Sequence, residues 1–349
     1  MSFSAAGILF ITKDGQALFL KRSQHGDYAG YWAFPGGTCE NEETFAETAH
    51  REIREEIGSY PSLNKIIELC KSKTLINDSE NLIYTTFICP VTNQFIPDLN
   101  EEHVGWAWAP AHDPPQPLHP GCQIAIDRFG MDELDVAHAI ADGRLASPQI
   151  YENMLLIALR ITGTGVSYRT AHEEYVYRAP QIYLNQHFLD RCAGLSVIWE
   201  HTTADMLNSK EYAERVIGAI MFAYVKDEDV WGIARIYDDE ARNLLETHQL
   251  STSPDVIFRG AGSGTKIDMP DGEVLLIEGE PVLIDHLAIC GIRENEDGEI
   301  EAIPGVWDCM KPPSGVQLDI AKQDSQSSED KIFYIKKLTD ELIRRLVRS

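Results

Sequence analysis

The sequence predicts two domains: an α+β domain first, and then a mostly β domain with a helix at the end of the chain. Three observations predict this. A length of 349 residues exceeds what one hydrophobic core usually serves. In the first third of the chain, short apolar runs surround one segment that is rich in helix-forming residues, which is typical of an α+β sandwich. Beyond that third, strand-like runs separated by turns dominate. We place the first domain at 1–145, the second at 146–310, a linker at 311–330 and the final helix at 331–349.

The first domain is predicted from a hairpin, helices and further strands. Residues 5–22 form the hairpin, which turns at Asp14-Gly15, a dipeptide favoured in tight turns. Residues 43–57 lack Gly and Pro and are rich in helix formers, so they form a helix. Its face toward the sheet carries an apolar residue at every fourth position: Phe45, Ala49, Ile53 and Ile57. Further strands are predicted at 32–34, 84–90 and 104–108, and a helix at 131–144.

The second domain is predicted from apolar runs that turn-forming residues separate. These predicted strands are 155–162, 197–199, 216–225, 230–236, 274–277 and 281–290. A short helix is expected at 238–247. The polar segment 311–330 has few aromatic residues and is typical of a linker, whereas 331–349 repeats apolar residues near helical spacing. That last helix suits docking on a partner and dimerisation equally well.

The composition narrows the function classes. A net charge of −25 repels nucleic-acid backbones, so binding of a nucleic-acid duplex is not expected, while divalent cations would offset the charge. Seven cysteines without a C-x-x-C pair indicate neither a zinc site nor a disulfide framework, which together with the lack of a secretory signal favours a reducing cytoplasm. The apolar N-terminal stretch ends at Lys13, so no membrane span is expected.

Three glutamates on the predicted helix 43–57 point to a metal. Glu52, Glu55 and Glu56 lie at i, i+3 and i+4 and share one helix face. Like charges this close are costly unless a cation lies among them, and oxygen-only ligands select Mg²⁺ or Mn²⁺ over zinc. Arg51 is placed to pair with Glu43 or with Glu55. The ordinary alternative is a solvated acidic helix.

This segment resembles the Nudix box, and the resemblance extends over residues 4–125. The matching positions are Gly37, Glu43, Arg51, Glu52, Ile53, Glu55, Glu56 and Gly58, and the one departure is Ser59 at a bulky aliphatic position. The resemblance implies an α/β/α sandwich with a mixed sheet. It also implies that water attacks a phosphorus in the pyrophosphate of a nucleoside diphosphate linked to another group, with Mg²⁺ or Mn²⁺ held by Glu52, Glu55 and Glu56.

Further residues are candidates for this chemistry. The family often uses a glutamate outside the box as a base or ligand, and Glu101 and Glu102 are the candidates here. Arg22 is a candidate for a phosphate contact, and Gly37 permits a backbone path that a side chain would block. The tryptophans Trp32, Trp106 and Trp108 are candidates for stacking on a base, although core packing is expected for at least two of them.

Three separate pieces of the second half suggest another site. His201, Ser251 and His286 each lie at the edge of an apolar run. A serine becomes nucleophilic when a histidine accepts its proton and a third group orients that histidine. His201 is then the base, Ser251 the nucleophile and His286 the orienting group, with Ser253 as a rival nucleophile.

In its order and setting this pattern resembles the phage prohead maturation proteases, which are related in fold to herpesvirus assemblins. Residues 130–310 are similar to an uncharacterised phage and prophage family that carries the pattern beside a Nudix domain. The resemblance implies a barrel-like β domain, capsid or scaffold subunits as partners, and a bacterial host cell. A structural β domain with buried histidines is the plainer alternative. Three functions stay open: a Nudix pyrophosphohydrolase, a maturation protease and a non-enzymatic assembly protein.

Overall fold

A computed structural model describes residues 2–25, 27–40, 43–58, 66–76, 80–169, 172–248, 250–260, 264–269, 272–294, 300–302 and 315–317. These residues divide into two compact units at the peptide bond between Tyr151 and Glu152. No helix in these ranges is long and apolar enough to cross a membrane.

The first unit is built on a mixed sheet. The strands of this sheet are β1 (Ser2–Thr12), β2 (Gln16–Arg22), β3 (Trp32–Ala33), β4 (Gly36–Thr38), β5 (Ile67–Ile76), β6 (Glu80–Val91) and β7 (His103–Pro110). A further strand of the unit, β8 (Gln149–Tyr151), is not part of this sheet. The strand order is β3-β2-β1-β6-β5, with β4 on β1 and β7 on β2. Only β1 and β6 run parallel among these pairs, so the prediction of a mixed sheet is confirmed.

The helices of this unit are α1 (Phe45–Ile57), α2 (Pro120–Arg128) and α3 (Glu133–Ala141). Helix α1 begins at a capping box in which the Thr44 hydroxyl accepts from the N–H of Glu47 while the Glu47 carboxylate accepts from the N–H of Thr44. Its buried residues Ala49, Ile53 and Ile57 pack against β1, β2 and β6, as their spacing predicted. Helix α2 was missed because its proline-rich approach reads as a loop, although Pro120 suits a first helical turn.

The second unit is mostly strand, as predicted. Its strands are β9 (Met154–Gly163), β10 (Gly165–Arg169), β11 (Glu174–Arg178), β12 (Ser196–Trp199), β13 (Val216–Lys226), β14 (Asp229–Ile236), β15 (Ser251–Ile257), β16 (Gly264–Asp268), β17 (Val274–Glu278), β18 (Leu283–Cys290), β19 (Ile292–Glu294) and β20 (Ile300–Ala302). Its helices are α4 (Pro180–Tyr183), α5 (Gln186–Cys192), α6 (Ser209–Arg215) and α7 (Asp239–Thr247).

The larger sheet of this unit follows the order β15-β18-β12-β13-β14-β9, and a smaller one the order β10-β11-β17-β16. Each ladder has two ends, so in the described part of the chain no sheet closes and the predicted barrel is not confirmed. The reason lies between β15 and β9, which do not pair directly. The N–H of Arg160 on β9 donates to Gly315 (2.6 Å), whose own N–H donates to Leu250 (3.0 Å). A short segment, 315–317, therefore lies where a direct ladder would close the sheet.

The predicted linker 311–330 and the predicted helix 331–349 lie outside the described residues, apart from this segment. Val316 forms an antiparallel bridge with Leu159, and the N–H of Gln317 donates to Ala158 (3.0 Å). These three residues are thus paired with β9 of the second unit.

Candidate functional site

The three predicted metal ligands lie along α1 in different degrees of burial. The side chain of Glu52 is 13% exposed and that of Glu55 is 55% exposed. The Glu56 side chain is buried. The helical spacing thus aligns the carboxylates along one stripe that runs from the solvent into the domain. The buried end of this stripe contacts the first residue of β4.

Arg51 holds the outer part of the stripe. Its Nε donates to Glu43 (2.9 Å), and its Nη1 donates to Glu52 (2.8 Å) and Glu55 (3.1 Å). Its Nη2 donates to the carbonyl of Thr38 in β4 (2.9 Å). Both pairings that the sequence left open therefore occur together. The Arg51 guanidinium, with help from the N–H of Glu40, lowers the pKa of Glu43 to about 2.

Glu56 forms the inner end of the stripe. Its Oε2 accepts from the N–H of Gly36 at 2.7 Å. Burial raises the pKa of Glu56 well above its usual range, and the charges of Glu52 and Glu102 raise it further. His103 Nε2 lies 3.7 Å from Glu56 Oε1. Burial and the charge of Arg22 lower the pKa of His103 to about 4, so this contact is not an ion pair near neutral pH.

Gly37, the first glycine of the Nudix-like pattern, lies on β4 and makes room for a specific side chain. A Cβ on Gly37 would lie 2.4 Å from Oε1 of Glu52, so the missing side chain leaves the space in which this carboxylate lies. Burial raises the pKa of Glu52, while its bond with Arg51 lowers it and the charges of Glu55 and Glu102 raise it. A partly buried carboxylate beside further carboxylates suits a hard divalent cation such as Mg²⁺.

The three carboxylates do not, however, converge on one point. Within the described ranges, only Asp255, Asp285 and His286 bring three ligand atoms within 4.8 Å of one another. The Arg51 guanidinium binds both Glu52 and Glu55, and Glu56 is bound to the loop. The residue types fit Mg²⁺ or Mn²⁺. The three carboxylates, however, do not converge as their helical spacing predicted.

Glu102 and Arg22 lie near this stripe. The charge of Glu102 raises the pKa of both Glu52 and Glu56. The charge of Arg22 lowers the pKa of Glu56, while its Nε donates to the carbonyl of Asp27 (3.0 Å). Both predicted residues therefore belong to the electrostatic surroundings of the α1 carboxylates.

Core packing was expected for at least two of the three tryptophans, and the structure shows it for Trp108. Trp108 packs on the core of the first unit, and its Nε1 donates to the carbonyl of Phe95 (2.9 Å). Trp106 is 38% exposed. Trp32 is half-buried, with Lys21 Nζ 5.7 Å from its ring centre. Sequence reasoning missed His103, since its approach to Glu56 joins β7 to α1 and leaves no local signal.

The second predicted site is assembled in part. His201 Nδ1 lies 3.1 Å from Nε2 of His286, which is fully buried on β18. The β15–β18 ladder places Asp255 opposite His286, Ser253 opposite Ala288 and Ser251 opposite Cys290. Ser251 is therefore four positions along β15 from the residue that faces His286, about 13 Å of extended chain.

Two aspartates that the sequence reasoning missed take the place beside the histidine. Asp285 Oδ2 lies 2.9 Å and Asp255 Oδ2 lies 3.8 Å from His286 Nδ1. Burial, and then the neighbouring His286, lowers the pKa of His201, which keeps that imidazole neutral. Asp285 is adjacent to His286 in the sequence, so this adjacency could have identified it as a partner of the histidine. Asp255 is brought to the histidine only by the register of the two strands.

The first part of the chain is similar to known proteins of one family. A family model described as "NUDIX domain" matches residues 1–129. Nucleoside triphosphatase NudI of Escherichia coli O17:K52:H18 (strain UMN026 / ExPEC) is 33% identical over 112 residues, which cover 30% of this chain and 79% of that protein. NudI of Shigella flexneri is 32% identical over the same shares. A solved MutT NUDIX hydrolase from Burkholderia pseudomallei, 27% identical, covers 37% of this chain and 98% of its own, with a TM-score of 0.33.

Proposed function

The chain belongs to the Nudix family through its first 129 residues, and from this premise we propose that it hydrolyses the pyrophosphate of a nucleoside diphosphate linked to a further group, in a reaction that depends on Mg²⁺ or Mn²⁺. Nucleoside triphosphates fall within this class, since there the further group is a phosphate. The name of the E. coli relative, nucleoside triphosphatase, supports their inclusion.

The observation that carries the proposal is the bond network of Arg51. One guanidinium joins the start of α1, through Glu43, to Glu52 and Glu55 and to the β4 carbonyl of Thr38. A solvated acidic helix needs no such fixed connection to a glycine-containing strand. The network fixes Glu52 and Glu55 beside β4, which supports a role for this face of α1 in binding a cation and a phosphate.

The chain's own residues would divide the work along the stripe. Glu52, Glu55 and Glu56 would hold the divalent ion, which when bound neutralises phosphate charge and acidifies a water. Gly37 leaves room for the Glu52 carboxylate, and the N–H of Gly36 holds Glu56 in place. Glu102, near both inner carboxylates, would accept a proton from the attacking water.

The test is a panel of nucleoside triphosphates, nucleoside diphosphate sugars and a dinucleoside polyphosphate, each assayed with Mg²⁺ and with Mn²⁺. We expect at least one substrate class to be hydrolysed and the rate to fall at least 100-fold in Glu55→Gln and in Glu56→Gln. Glu101→Gln serves as the matched control, because it makes the same chemical change on an exposed side chain. Absence of turnover across the panel in the wild-type protein contradicts the proposal.

A maturation protease is the second candidate, favoured by the hydrogen bond between His201 and His286. Ser253 lies two positions from Asp255 on β15, half as far as Ser251, and its buried Oγ has no hydrogen-bond partner in the described part of the chain. Self-cleavage within 311–330 that Ser253→Ala or Ser251→Ala abolishes would support this function and name the nucleophile. If no self-cleavage occurs and capsid subunits co-sediment with the protein, these results would favour an assembly role in the cytoplasm of a bacterial host.

A further inference from the structure

A compact group of ligand atoms lies in the second unit, away from the α1 carboxylates in the chain. Asp255 comes from β15, and Asp285 and His286 come from β18, the strand paired with it. One ligand atom of each residue lies within 4.8 Å of the other two. The distances from His286 Nδ1 to Oδ2 of Asp285 and to Oδ2 of Asp255 are 2.9 and 3.8 Å. They bracket the separation of about 3.3 Å between ligand atoms that tetrahedral metal bonds of about 2.0 Å require.

The burial and charge of this group need compensation. The His286 side chain is fully buried, Asp285 is 11% exposed and Asp255 is 28% exposed. Among the described residues, neither aspartate makes an ion pair with a lysine or arginine. Two partly buried carboxylates this close together are costly unless a positive charge lies between them. Either a protonated His286 or a bound cation can supply that charge.

The surroundings of the group match those of a metal site. A metal-bound imidazole uses its second nitrogen to donate a hydrogen bond, and here Nε2 of His286 faces Nδ1 of His201 at 3.1 Å. Ligating carboxylates are themselves usually fixed by hydrogen bonds, and Oδ2 of Asp285 accepts from the N–H of Leu207 at 2.7 Å. Both supporting contacts therefore leave His286 Nδ1 directed at the two aspartates.

A further polar side chain, that of Ser253, lies on the same face of the strand pair. Ser253 is 1% exposed, and its Oγ has no hydrogen-bond partner in the described ranges. The β15–β18 ladder puts Ser253 on the same face as Asp255 and diagonal to His286. A buried hydroxyl without a partner is costly, and a metal ligand or a metal-bound water would satisfy it.

We propose that Asp255, Asp285 and His286 bind one divalent transition-metal ion, with His201 orienting His286 and Ser253 completing the site directly or through water. The mixed nitrogen and oxygen donors suit Zn²⁺, whereas Mg²⁺ prefers oxygen donors alone. This chain would then carry two metal sites of different selectivity, one on α1 and one on the β15–β18 pair. The proposal is independent of the hydrolase function.

The test uses the full chain and Zn²⁺ in competition with a chromophoric chelator. We expect one tight equivalent of Zn²⁺, no displacement by millimolar Mg²⁺, and an affinity at least 100-fold lower in Asp255→Asn. Asp239→Asn, the same change at an exposed site, should leave the affinity within twofold. The double variant Glu52→Gln, Glu56→Gln should also retain the zinc. Equal zinc binding by wild type and Asp255→Asn, or none by either, overturns the proposal and favours an ion pair of protonated His286.

Cobalt substitution tests the site even if Asp255→Asn does not fold. Wild-type protein loaded with one equivalent of Co²⁺ should show the visible bands of a tetrahedral ion without a sulfur-to-metal charge-transfer band, because this site contains no cysteine. A sulfur charge-transfer band, or no tetrahedral bands, would assign the bound metal to the chain's cysteines or to adventitious ligands and overturn the proposal.

Discussion

A Cβ on Gly37 would lie 2.4 Å from Oε1 of Glu52, so the position of this carboxylate depends on a residue that has no side chain. The contact is with the far end of a flexible side chain, so the domain can absorb it by moving the carboxylate. Gly37 therefore influences the site more strongly than it influences the fold.

We predict that Gly37→Ala lowers kcat/KM at least 30-fold while the melting temperature falls by only a few degrees. Steady-state assays and thermal unfolding of the same preparation measure both. Gly105→Ala is the control, since a Cβ there meets only Lys21 Cβ at 4.0 Å. Gly36→Ala should differ from Gly37→Ala in its effect on stability. Because φ of Gly36 is +153° and a Cβ there would lie 2.4 Å from the Ala6 carbonyl oxygen, this change should lower the free energy of unfolding by more than about 2 kcal/mol. A Gly37→Ala enzyme with wild-type kcat/KM would contradict the role of this contact.

Arg51→Lys should not be conservative. The guanidinium reaches three carboxylates and a carbonyl at once, which a single ammonium cannot do. We expect kcat to fall at least tenfold and the Mg²⁺ concentration for half-maximal rate to rise, measured by titrating Mg²⁺ at saturating substrate. Arg54→Lys on the same helix is the control, because Arg54 is exposed. Retention of the wild-type magnesium dependence in Arg51→Lys would refute this role.

Glu101 and Glu102 are neighbours with different expected effects. Glu102 raises the pKa of Glu52 and Glu56, so its charge is felt at the site. Glu102→Gln should lower kcat at least tenfold with little change in KM, whereas Glu101→Gln should change neither by more than twofold. Initial-rate measurements over a range of substrate concentrations separate the two constants. Equal losses in both variants would indicate a general effect of surface charge.

His119 should make the first unit sensitive to acid. Its Nδ1 accepts from the N–H of Gly121 and caps α2 at 3.1 Å, and burial together with the Arg22 charge lowers its pKa from 6.5 to about 4. A histidine whose pKa is depressed on folding contributes full stability above pH 6.5 and loses it as the pH falls toward 4. Protonation also removes the acceptor of the cap.

Asparagine in His119→Asn keeps a capping acceptor but does not titrate. We therefore expect this variant to lose less free energy of unfolding than the wild type as the pH falls from 6.5 toward 4, by about 1–3 kcal/mol. Chemical unfolding monitored at pH 7 and at pH 4.5 measures the difference. His112→Asn, an exposed control, should track wild type. Identical acid destabilisation of wild type and His119→Asn would show that this histidine does not titrate between the two values.

The sequence was informative wherever the signal is local. The period of Ala49, Ile53 and Ile57 identified the core face of α1, because helical spacing alone decides which residues share a face. The proximity of His201 and His286 was also anticipated. The partner of His286, however, is decided by the β15–β18 register, which places Asp255 rather than a serine opposite it. Register and sheet closure arise from contacts between distant strands, which no local pattern records.

The segment 315–317 has a consequence for the integrity of the second unit. Gly315 hydrogen-bonds both to Arg160 and to Leu250, immediately before β15, and a Cβ on Gly315 would lie 1.9 Å from Thr252 Oγ1. Because it is tethered to the chain, this segment binds at a high effective concentration. A cut before Gly315 would turn it into a separate peptide that dilution can remove. Strand β15, which carries Asp255, would then lose a neighbour. A single backbone break before Gly315 would therefore weaken the position of Asp255 beside His286.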